Sequence, residues 1–299
     1  MKQKLHTPVM LTEVLGYLNL RPGQTIVDAT IGTGGHSRNI LERIMPGGRL
    51  IGIDRDQDSL AVAREELKRY GDSCDFVYGN FMEIDNILKS LNIKYVDGIV
   101  FDLGVSSFQL EDRSRGFSFQ YEGPLDMRLD KNSHISAYDL INNLNEEEIS
   151  DMLWSFGQER WHNRIAHLLV KERQRCPIAT TLQLSKIVTM AIPQRYRYYR
   201  IHPATRTFQA VRIAVNRDLE NLKVALVKAL ESLVKSGRLC VISFHSLEDR
   251  LVKWGLRELA SMGKAEIITA KPLVPGEDEA RNNPSSRSAK LRVAERIAE

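Results

Sequence analysis

The sequence predicts an α/β fold in which a mainly parallel sheet is interrupted by an all-helical domain. In the first hundred residues, short apolar runs rich in β-branched residues alternate with amphipathic helical patterns, which is typical of βαβ units. From about residue 115 to residue 204 only helical patterns follow one another. The predicted domains are therefore a core formed by residues 1–114 and 205–299, and a helical insertion formed by residues 115–204.

The core strands are predicted from short apolar runs that end in polar or turn-forming residues. Four of them precede the insertion, and the helical patterns between them imply parallel strands with right-handed crossovers. The last two strands are expected to form a hairpin joined by a long loop rich in proline and serine. The predicted strands span residues 25–29, 49–54, 75–79, 97–103, 238–244, 265–270 and 290–297.

The predicted helices of the insertion span residues 136–144, 145–156, 159–175 and 180–192. Asn145 followed by three glutamates indicates a helix start, because the amide can cap free backbone N–H groups and acidic side chains favour that end. Gly157 is a typical helix stop. An apolar pattern over residues 205–235 then returns the chain to the sheet.

The segment SFHSLEDR (243–250) follows the fifth strand and contains a serine, a histidine and an aspartate. A catalytic triad is rejected here, because no nucleophile elbow is present. We expect Ser246, together with Asp249, to form the capping box of the following helix.

Composition excludes several classes of protein. The 299 residues carry a net charge of only +4, so any affinity for nucleic acid must come from local clusters. Three cysteines without a C-x-x-C motif argue against a zinc site or a disulfide scaffold, and no metal is expected. No apolar run approaches the roughly 20 residues of a membrane span, and no signal peptide is recognised. A cytoplasmic protein is therefore expected.

The glycine-rich segment DATIGTGGHS (28–37) is predicted to hold a nucleotide-like ligand. A phosphate-binding P-loop is excluded, because its Lys-Ser/Thr pair is missing. A dinucleotide is disfavoured, because the third glycine of G-x-G-x-x-G is missing and Asp28 would repel a pyrophosphate. Asp54 ends the second strand, where a carboxylate can accept the hydroxyl groups of a ribose. S-adenosylmethionine is the remaining candidate ligand of this segment. The alternative is that the segment binds no ligand and is a plain strand-to-helix turn that Asp28 caps.

The ends of the third and fourth strands add polar residues at the same edge of the sheet. Asn80 and Phe81 are placed to meet an adenine, although core packing is the competing interpretation for Phe81. Asp102 and Ser106 lie in the loop after the fourth strand, where open α/β sheets bind ligands.

Nine segments then form a set that runs in order along nearly the whole chain. They are HTPVMLTEVL (6–15), DATIGTGGHS (28–37), GIDRD (52–56), FDLGVSS (101–107), RGFSF (115–119), GPLDMRLD (123–130), HPATRTFQAVRIAVN (202–216), ISFHSLEDR (242–250) and RSAKLRVAER (287–296). This set resembles the bacterial 16S ribosomal RNA cytosine-N4 methyltransferases, the MraW/RsmH family.

The resemblance implies a Rossmann-like class I S-adenosylmethionine-dependent methyltransferase sheet with an inserted all-helical domain. It also implies methylation of N4 of a specific cytidine in the decoding region of small-subunit rRNA. The resemblance implies that Gly34, Gly35 and His36 contact the methionine end of the cofactor. It also implies that Asp54 holds the ribose and Phe81 contacts the adenine. Asp102 and Gln109 are implied to complete the cofactor site.

Catalysis is expected to rest on positioning, because the sulfonium of the cofactor is already a strong electrophile. We expect Asp102 or Ser106, with backbone carbonyls of their loop, to orient the cytosine amine. A role of Asp102 toward the cofactor alone is the alternative.

The best candidate for RNA contact is the segment 193–217, which has arginines interleaved with tyrosines and no acidic residue. A packed connector is the competing interpretation. The predicted substrate contacts are Asp126, Arg128, Arg195, Arg197, Arg200 and Arg206, although Asp126 and Arg128 could instead pair with each other.

The predicted partner is the small-subunit rRNA or the assembled small ribosomal subunit, and a homodimer is compatible with the sequence. Two other functions compete with methylation. One is an NAD-dependent oxidoreductase, which the incomplete glycine motif disfavours. The other is a non-catalytic RNA-binding or ribosome-assembly factor on a methyltransferase fold, which the intact set of Gly34, His36, Asp54 and Asp102 disfavours.

Overall fold

A computed structural model describes residues 8–197 and 201–298 of the chain. By their packing these residues divide into two units. Residues up to 104 and from 219 onward form the core unit, and residues 105–218 form the inserted unit. The inserted unit is therefore longer at both ends than the segment 115–204 expected from the pattern.

The core unit contains a seven-stranded sheet in the described part of the chain, with strand order β3-β2-β1-β4-β5-β7-β6. The strands are β1 (Thr25–Asp28), β2 (Arg49–Asp54), β3 (Cys74–Tyr78), β4 (Val96–Asp102), β5 (Leu233–Ser243), β6 (Ala265–Ile267) and β7 (Lys290–Arg296). β1 to β5 are parallel, and β7 is antiparallel to both β5 and β6. The chain reverses its winding between β1 and β4, so the topological switch point lies between these two strands.

Helices cover the sheet and complete two apolar clusters within the core unit. The buried apolar residues of the strands are mainly isoleucine, valine and leucine, as expected for strands that are buried on both faces. The helices are α1 (Leu11–Tyr17), α2 (Gly35–Ile44), α3 (Gln57–Leu67), α4 (Ile84–Ser90), α11 (Asp218–Glu231), α12 (Ser246–Ser261) and α13 (Glu277–Asn282).

The inserted unit has its own apolar cluster, which runs from Phe117 to Val215. Its helices are α5 (Ser107–Glu111), α6 (Ala137–Asn143), α7 (Glu146–Gly157), α8 (His162–Arg173), α9 (Thr181–Ala191) and α10 (Thr205–Asn216). Gly157 allows α7 to meet α10 closely, because a Cβ atom there would lie 2.7 Å from the carbonyl oxygen of Arg206. This contact explains why α10 belongs to the inserted unit.

The predicted strands and the four predicted insertion helices are confirmed, and Asn145 caps α7 in a reciprocal box with Glu148. Two details differ. The pattern 205–235 is two helices rather than one, separated at Arg217, which has φ of 52°. The expectation that Ser246 caps the helix after β5 is wrong, because the cap of α12 is His245, whose Nδ1 accepts the backbone N–H of Glu248.

Within the described residues, no helix is both long enough and apolar enough to cross a membrane.

Candidate cofactor and active site

The carboxyl ends of three neighbouring strands bring three aspartates to one edge of the sheet. Asp28 ends β1, Asp54 ends β2 and Asp102 ends β4. Register pairs Asp28 with Val100 and with Gly52, so the three strands reach this edge at nearly the same height. Ligands of open α/β sheets bind at this edge beside the switch point, which here lies between Asp28 and Asp102.

The glycine turn between β1 and α2 depends on a left-handed backbone. Gly34 has φ of 87° and precedes the first residue of α2, and a Cβ atom there would lie 3.3 Å from Cδ1 of Leu67. Among the described residues no side chain caps α2. Its first backbone N–H groups therefore stay available to an acceptor such as the carboxylate of a bound amino acid.

Asp28 is buried, and both of its carboxylate oxygens are engaged. Oδ2 accepts the hydroxyl of Ser37 at 2.7 Å, and Oδ1 accepts the backbone N–H of Thr30 at 3.3 Å. Burial raises the pKa of this carboxyl, which His36 and the two hydrogen bonds oppose. Asp28 thus ties the end of β1 to α2, and this geometry favours the interpretation of Asp28 as an anchor of the turn.

Asp54 shapes the same loop from the neighbouring strand. Its Oδ2 accepts the backbone N–H of Gly32 and its Oδ1 accepts that of Asp56, both at 2.9 Å. Burial raises the pKa of Asp54 to about 6, while these two backbone hydrogen bonds oppose the shift. The carboxylate is thus held in a fixed orientation at the end of β2.

Asp102 lies beside His36 at the switch point. Oδ2 of Asp102 is 3.6 Å from Nδ1 of His36, while Nε2 of His36 donates to the carbonyl of Val9 at 2.9 Å. The backbone N–H of Asp102 donates to the hydroxyl oxygen of Thr30 at 2.6 Å, which joins the end of β4 to the glycine turn. Oδ1 of Asp102 is buried and has no hydrogen-bond partner within the described part of the chain.

The pKa of Asp102 is raised to about 6, mainly because burial disfavours its ionised form. The nearby charge of His36 opposes this shift, while the carboxylates of Asp28 and Glu248 add to it. Asp102 is therefore a carboxyl group that changes its protonation close to neutral pH, and such groups occur often at functional sites.

Two further residues belong to this cluster, and of these Glu248 was not predicted from the sequence. Glu248 is buried, and its Oε2 accepts the backbone N–H of Phe244 at 2.9 Å. His245 has its Nε2 3.0 Å from Oε1 of Glu248. The available signal was the position of SFHSLEDR directly after β5, the strand that pairs with β4.

Phe81 is buried and packs edge-on against Phe101, with ring centres 5.5 Å apart. It belongs to an apolar cluster of the core unit, as the competing interpretation expected. Asn80 caps the short turn that contains Phe81 by accepting the backbone N–H of Met82.

Ser106 and Gln109 lie in the inserted unit and cap α5 reciprocally. Oγ of Ser106 accepts the backbone N–H of Gln109, and Oε1 of Gln109 accepts that of Ser106. Ser106 therefore has a local structural task in addition to the catalytic task predicted for it.

Asp126 and Arg128 pair with each other, the closest approach being 2.6 Å from a terminal guanidinium nitrogen to Oδ2. Arg128 also donates to the carbonyls of Lys131 and Ser133. This pair holds the loop that carries Met127, whose φ of 60° is unusual for a residue with a side chain. The pairing was one of the two alternatives left open by the sequence.

The predicted RNA-binding arginines fall into different settings. Arg197 donates to the carbonyls of Ile192 and Met190 at the end of α9, which commits it to that helix end. Arg206 donates to the carbonyl of Gln158, and Arg195 lies over the ring of Tyr196. Arg200 lies outside the described residues.

Comparison with known proteins decides the family. The chain matches the MraW methylase family over residues 3–297. The chain belongs to this family. It is 47% identical to the ribosomal RNA small subunit methyltransferase H of Halothermothrix orenii, with 98% of each chain covered. It is also 47% identical to the protein of the same name from Persephonella marina, with 98% of this chain and 99% of the relative covered. The resemblance read from the nine segments is confirmed.

Solved structures show the same fold. A candidate rRNA methylase from Clostridium thermocellum superimposes with a TM-score of 0.50 at 14% identity and covers 99% of both chains. The predicted fold class, a class I methyltransferase sheet with an inserted helical domain, is confirmed. The predicted cofactor of this methylase family, S-adenosyl-L-methionine, is confirmed as well.

The core residues fit this cofactor. Oδ1 of Asp102 is a buried acceptor without a partner in the described chain, and the cofactor carries ammonium and hydroxyl donors. The uncapped start of α2 suits its carboxylate. Asp54 supplies a fixed carboxylate for a ribose.

Proposed function

We propose that this protein methylates N4 of a specific cytidine in the decoding region of small-subunit rRNA, and that it acts in the cytoplasm. The observation that carries the proposal is Asp102. It is a carboxylate at the switch point with one buried oxygen lacking a partner in the described chain and a pKa near neutrality. The relatives are named for methylation of small-subunit ribosomal RNA, which supports the choice of substrate.

The cofactor residues of the proposal are those predicted from the sequence. Gly34, Gly35 and His36 start α2 and would hold the methionine end, with Asp54 at the ribose. When bound, S-adenosylmethionine supplies an electrophilic methyl group. Phe81 would meet the adenine, and Gln109 completes the set.

Asp102 has a defined task toward the substrate. The exocyclic amine of cytosine is a weak nucleophile, because its lone pair is delocalised into the ring. A hydrogen bond from this amine to Oδ1 of Asp102 increases the electron density on nitrogen and fixes its direction. When the amine nitrogen takes the methyl group from the sulfonium it becomes acidic, and a carboxylate with a pKa of about 6 would accept its proton at neutral pH.

His36 supports this task as a positioning residue. Because its Nε2 donates to Val9, its Nδ1 is directed toward Asp102. In this position the charge of His36 favours the ionised form of Asp102, which is the form that accepts a proton. Ser106 remains the second predicted catalytic residue, and it also caps α5.

The RNA must present an unpaired or extruded cytidine, because N4 is engaged in pairing within a stem. Arg195 and Arg206 are exposed and are retained as substrate contacts with Arg200. Asp126, Arg128 and Arg197 are better explained as residues that shape the inserted unit, since their polar groups are engaged there.

The test is mass spectrometry of nuclease digests. Naked 16S rRNA and assembled small subunits, each lacking the modification, are incubated separately with the protein and isotope-labelled S-adenosylmethionine. We expect labelled N4-methylcytidine at one position of the decoding region in at least one of the two substrates. Label on another base or another atom would contradict the proposed specificity, and no label in either substrate would favour the non-catalytic assembly factor.

A further inference from the structure

A group of arginines and aromatic rings lies where α7 leads into α8 in the inserted unit. We call it the arginine–aromatic surface, and it consists of Arg160, Trp161, Arg164, Arg195 and Tyr196. The three arginines are exposed, and the two rings are half-buried. Arg195 and Tyr196 lie in the segment 193–217 that was expected from the sequence to touch RNA, whereas Arg160, Trp161 and Arg164 belong to no recognisable motif.

The two rings hold the three guanidinium groups. The ring centres of Trp161 and Tyr196 are 5.4 Å apart. The guanidinium carbon of Arg160 lies 5.3 Å from the first ring centre and 5.7 Å from the second. Arg164 lies 5.8 Å from the Trp161 ring, and Arg195 lies 4.8 Å from the Tyr196 ring. Such contacts restrain a guanidinium group without neutralising its charge.

The charges of this surface are not balanced by acidic side chains. Within residues 8–197 and 201–298, no carboxylate oxygen lies within 4 Å of the guanidinium nitrogens of Arg160, Arg164 or Arg195. Other arginines of the same unit differ: Arg128 pairs with Asp126, and Arg175 pairs with Glu172. Three restrained and uncompensated positive charges form a site for a polyanion.

The backbone under this surface is fixed by buried contacts. Glu159 is buried, and its Oε1 accepts the backbone N–H of Trp161 at 2.9 Å. Gln158, in the left-handed conformation, accepts a hydrogen bond from Arg206 through its carbonyl. The rings of Trp161 and Tyr196 also pack on the apolar cluster of the inserted unit. The arginines are thus carried on a preformed support.

We propose that the arginine–aromatic surface binds single-stranded segments of the substrate RNA. This inference rests on the proposed function. The guanidinium groups bind phosphates, while guanidinium and ring faces stack with unpaired bases, a combination typical of proteins that hold single strands. An acidic protein would use the charges but would gain little from the rings, so RNA is the occupant that uses both features.

The experiment measures binding of a single-stranded RNA oligonucleotide, of decoding-region sequence, over a range of salt concentrations. The variant is Arg160→Gln with Arg164→Gln, which keeps both rings. The matched control is Lys253→Gln with Arg257→Gln, because these two cations lie over exposed Trp254 of the core unit at 5.3 and 5.1 Å. Thermal unfolding of both variants checks that the fold is retained.

We expect the Arg160/Arg164 variant to bind RNA more weakly, with a salt slope smaller by about 1.4, since each lost contact to a single-strand phosphate removes about 0.7. The control variant should keep the slope of the unaltered protein. An unchanged slope in the Arg160/Arg164 variant, or an equal loss in the control, would overturn the inference.

The outcome is separable from that of the methylation test. If the unaltered protein forms no N4-methylcytidine, but the Arg160/Arg164 variant binds RNA more weakly than the unaltered protein, the proposed function is refuted and the RNA-binding surface is still supported. If the unaltered protein does form N4-methylcytidine, but the Arg160/Arg164 variant binds RNA normally, only the proposed RNA-binding surface is refuted. Polyglutamate serves as a second, acidic polypeptide ligand. If the Arg160/Arg164 variant binds polyglutamate more weakly than the unaltered protein does, but binds RNA equally well, the proposal is also overturned.

Discussion

The two regions assigned to ligands use charge in opposite ways. At the sheet edge of the core unit, Asp28, Asp102 and Glu248 gather negative charge, and each is at least largely buried. On the arginine–aromatic surface, positive charges are exposed and rest on rings. The first arrangement raises carboxyl pKa values and suits proton acceptance at a few fixed atoms. The second suits a long, flexible polyanion.

This contrast teaches that burial determines which chemistry a charged residue can perform. A buried carboxyl group is strongly affected by its neighbours, so one substitution there should change catalysis by orders of magnitude. Exposed arginines act additively and are screened by salt, so single substitutions should change binding modestly.

The largest effect is expected for Asp102→Asn, which keeps the shape of the side chain and removes its charge. The amide cannot accept a proton from the cytosine amine, so kcat should fall roughly 10²–10³-fold. Radiolabel transfer from S-adenosylmethionine to rRNA under saturating conditions measures it. Asp72→Asn, at an exposed position of the same unit, serves as the control and should retain the unaltered rate. Full turnover by the Asp102 variant would limit Asp102 to a structural task.

The next effect concerns stability of the inserted unit. The side chain of Asn216 accepts the backbone N–H of Leu129 at 2.8 Å and donates to the carbonyl of Met127 at 2.8 Å. Asn216→Leu leaves these buried groups unpaired and should lower the free energy of unfolding by roughly 2–4 kcal/mol. Urea denaturation gives the value. Gln209→Leu on the same helix removes one 3.3 Å hydrogen bond to Phe156 and should cost about 1 kcal/mol or less.

A smaller effect is expected at the glycine turn of the core. Because Gly34 has φ of 87° and a Cβ atom would meet Leu67, Gly34→Ala should destabilise the protein by about 1–2 kcal/mol. It should also weaken binding of S-adenosylhomocysteine, which isothermal calorimetry measures. Gly16→Ala in α1 is the matched control, since open space surrounds Gly16 and its φ is ordinary for a helix. Equal losses in both variants would show that the turn has no special requirement for glycine.

Much of the fold could be predicted, because strand and helix periodicity is a local property of the chain. All seven strands and the insertion helices follow from it. The limits of the inserted unit could not, because they depend on packing between distant segments, such as Gly157 against α10. The cap of α12 was assigned to Ser246 rather than His245, since two adjacent residues can both accept a backbone N–H.

The candidate site was predictable where a strand end fixes a position, as for Asp54 and Asp102. It was not predictable where partners come together only in three dimensions. Glu248 and His245 join the acidic cluster through the pairing of β5 with β4. Trp161 and Tyr196 are 35 residues apart in sequence and meet only in the folded insert. Two of the family segments are also joined by hydrogen bonds, since the guanidinium group of Arg115 donates to the carbonyl groups of Arg128 and Leu129.

The central claim is that the ionised Asp102 accepts the proton of the cytosine amine. Its most direct test is the pH dependence of single-turnover methyl transfer, with cofactor and RNA saturating. Because the acceptor must be ionised, the rate should fall about tenfold per pH unit below an apparent pKa of about 6 and level off above it. The Asp54→Asn variant should keep this profile, and the residual rate of Asp102→Asn should lose it. A rate that stays constant from pH 5 to pH 8 in the unaltered protein would contradict the account.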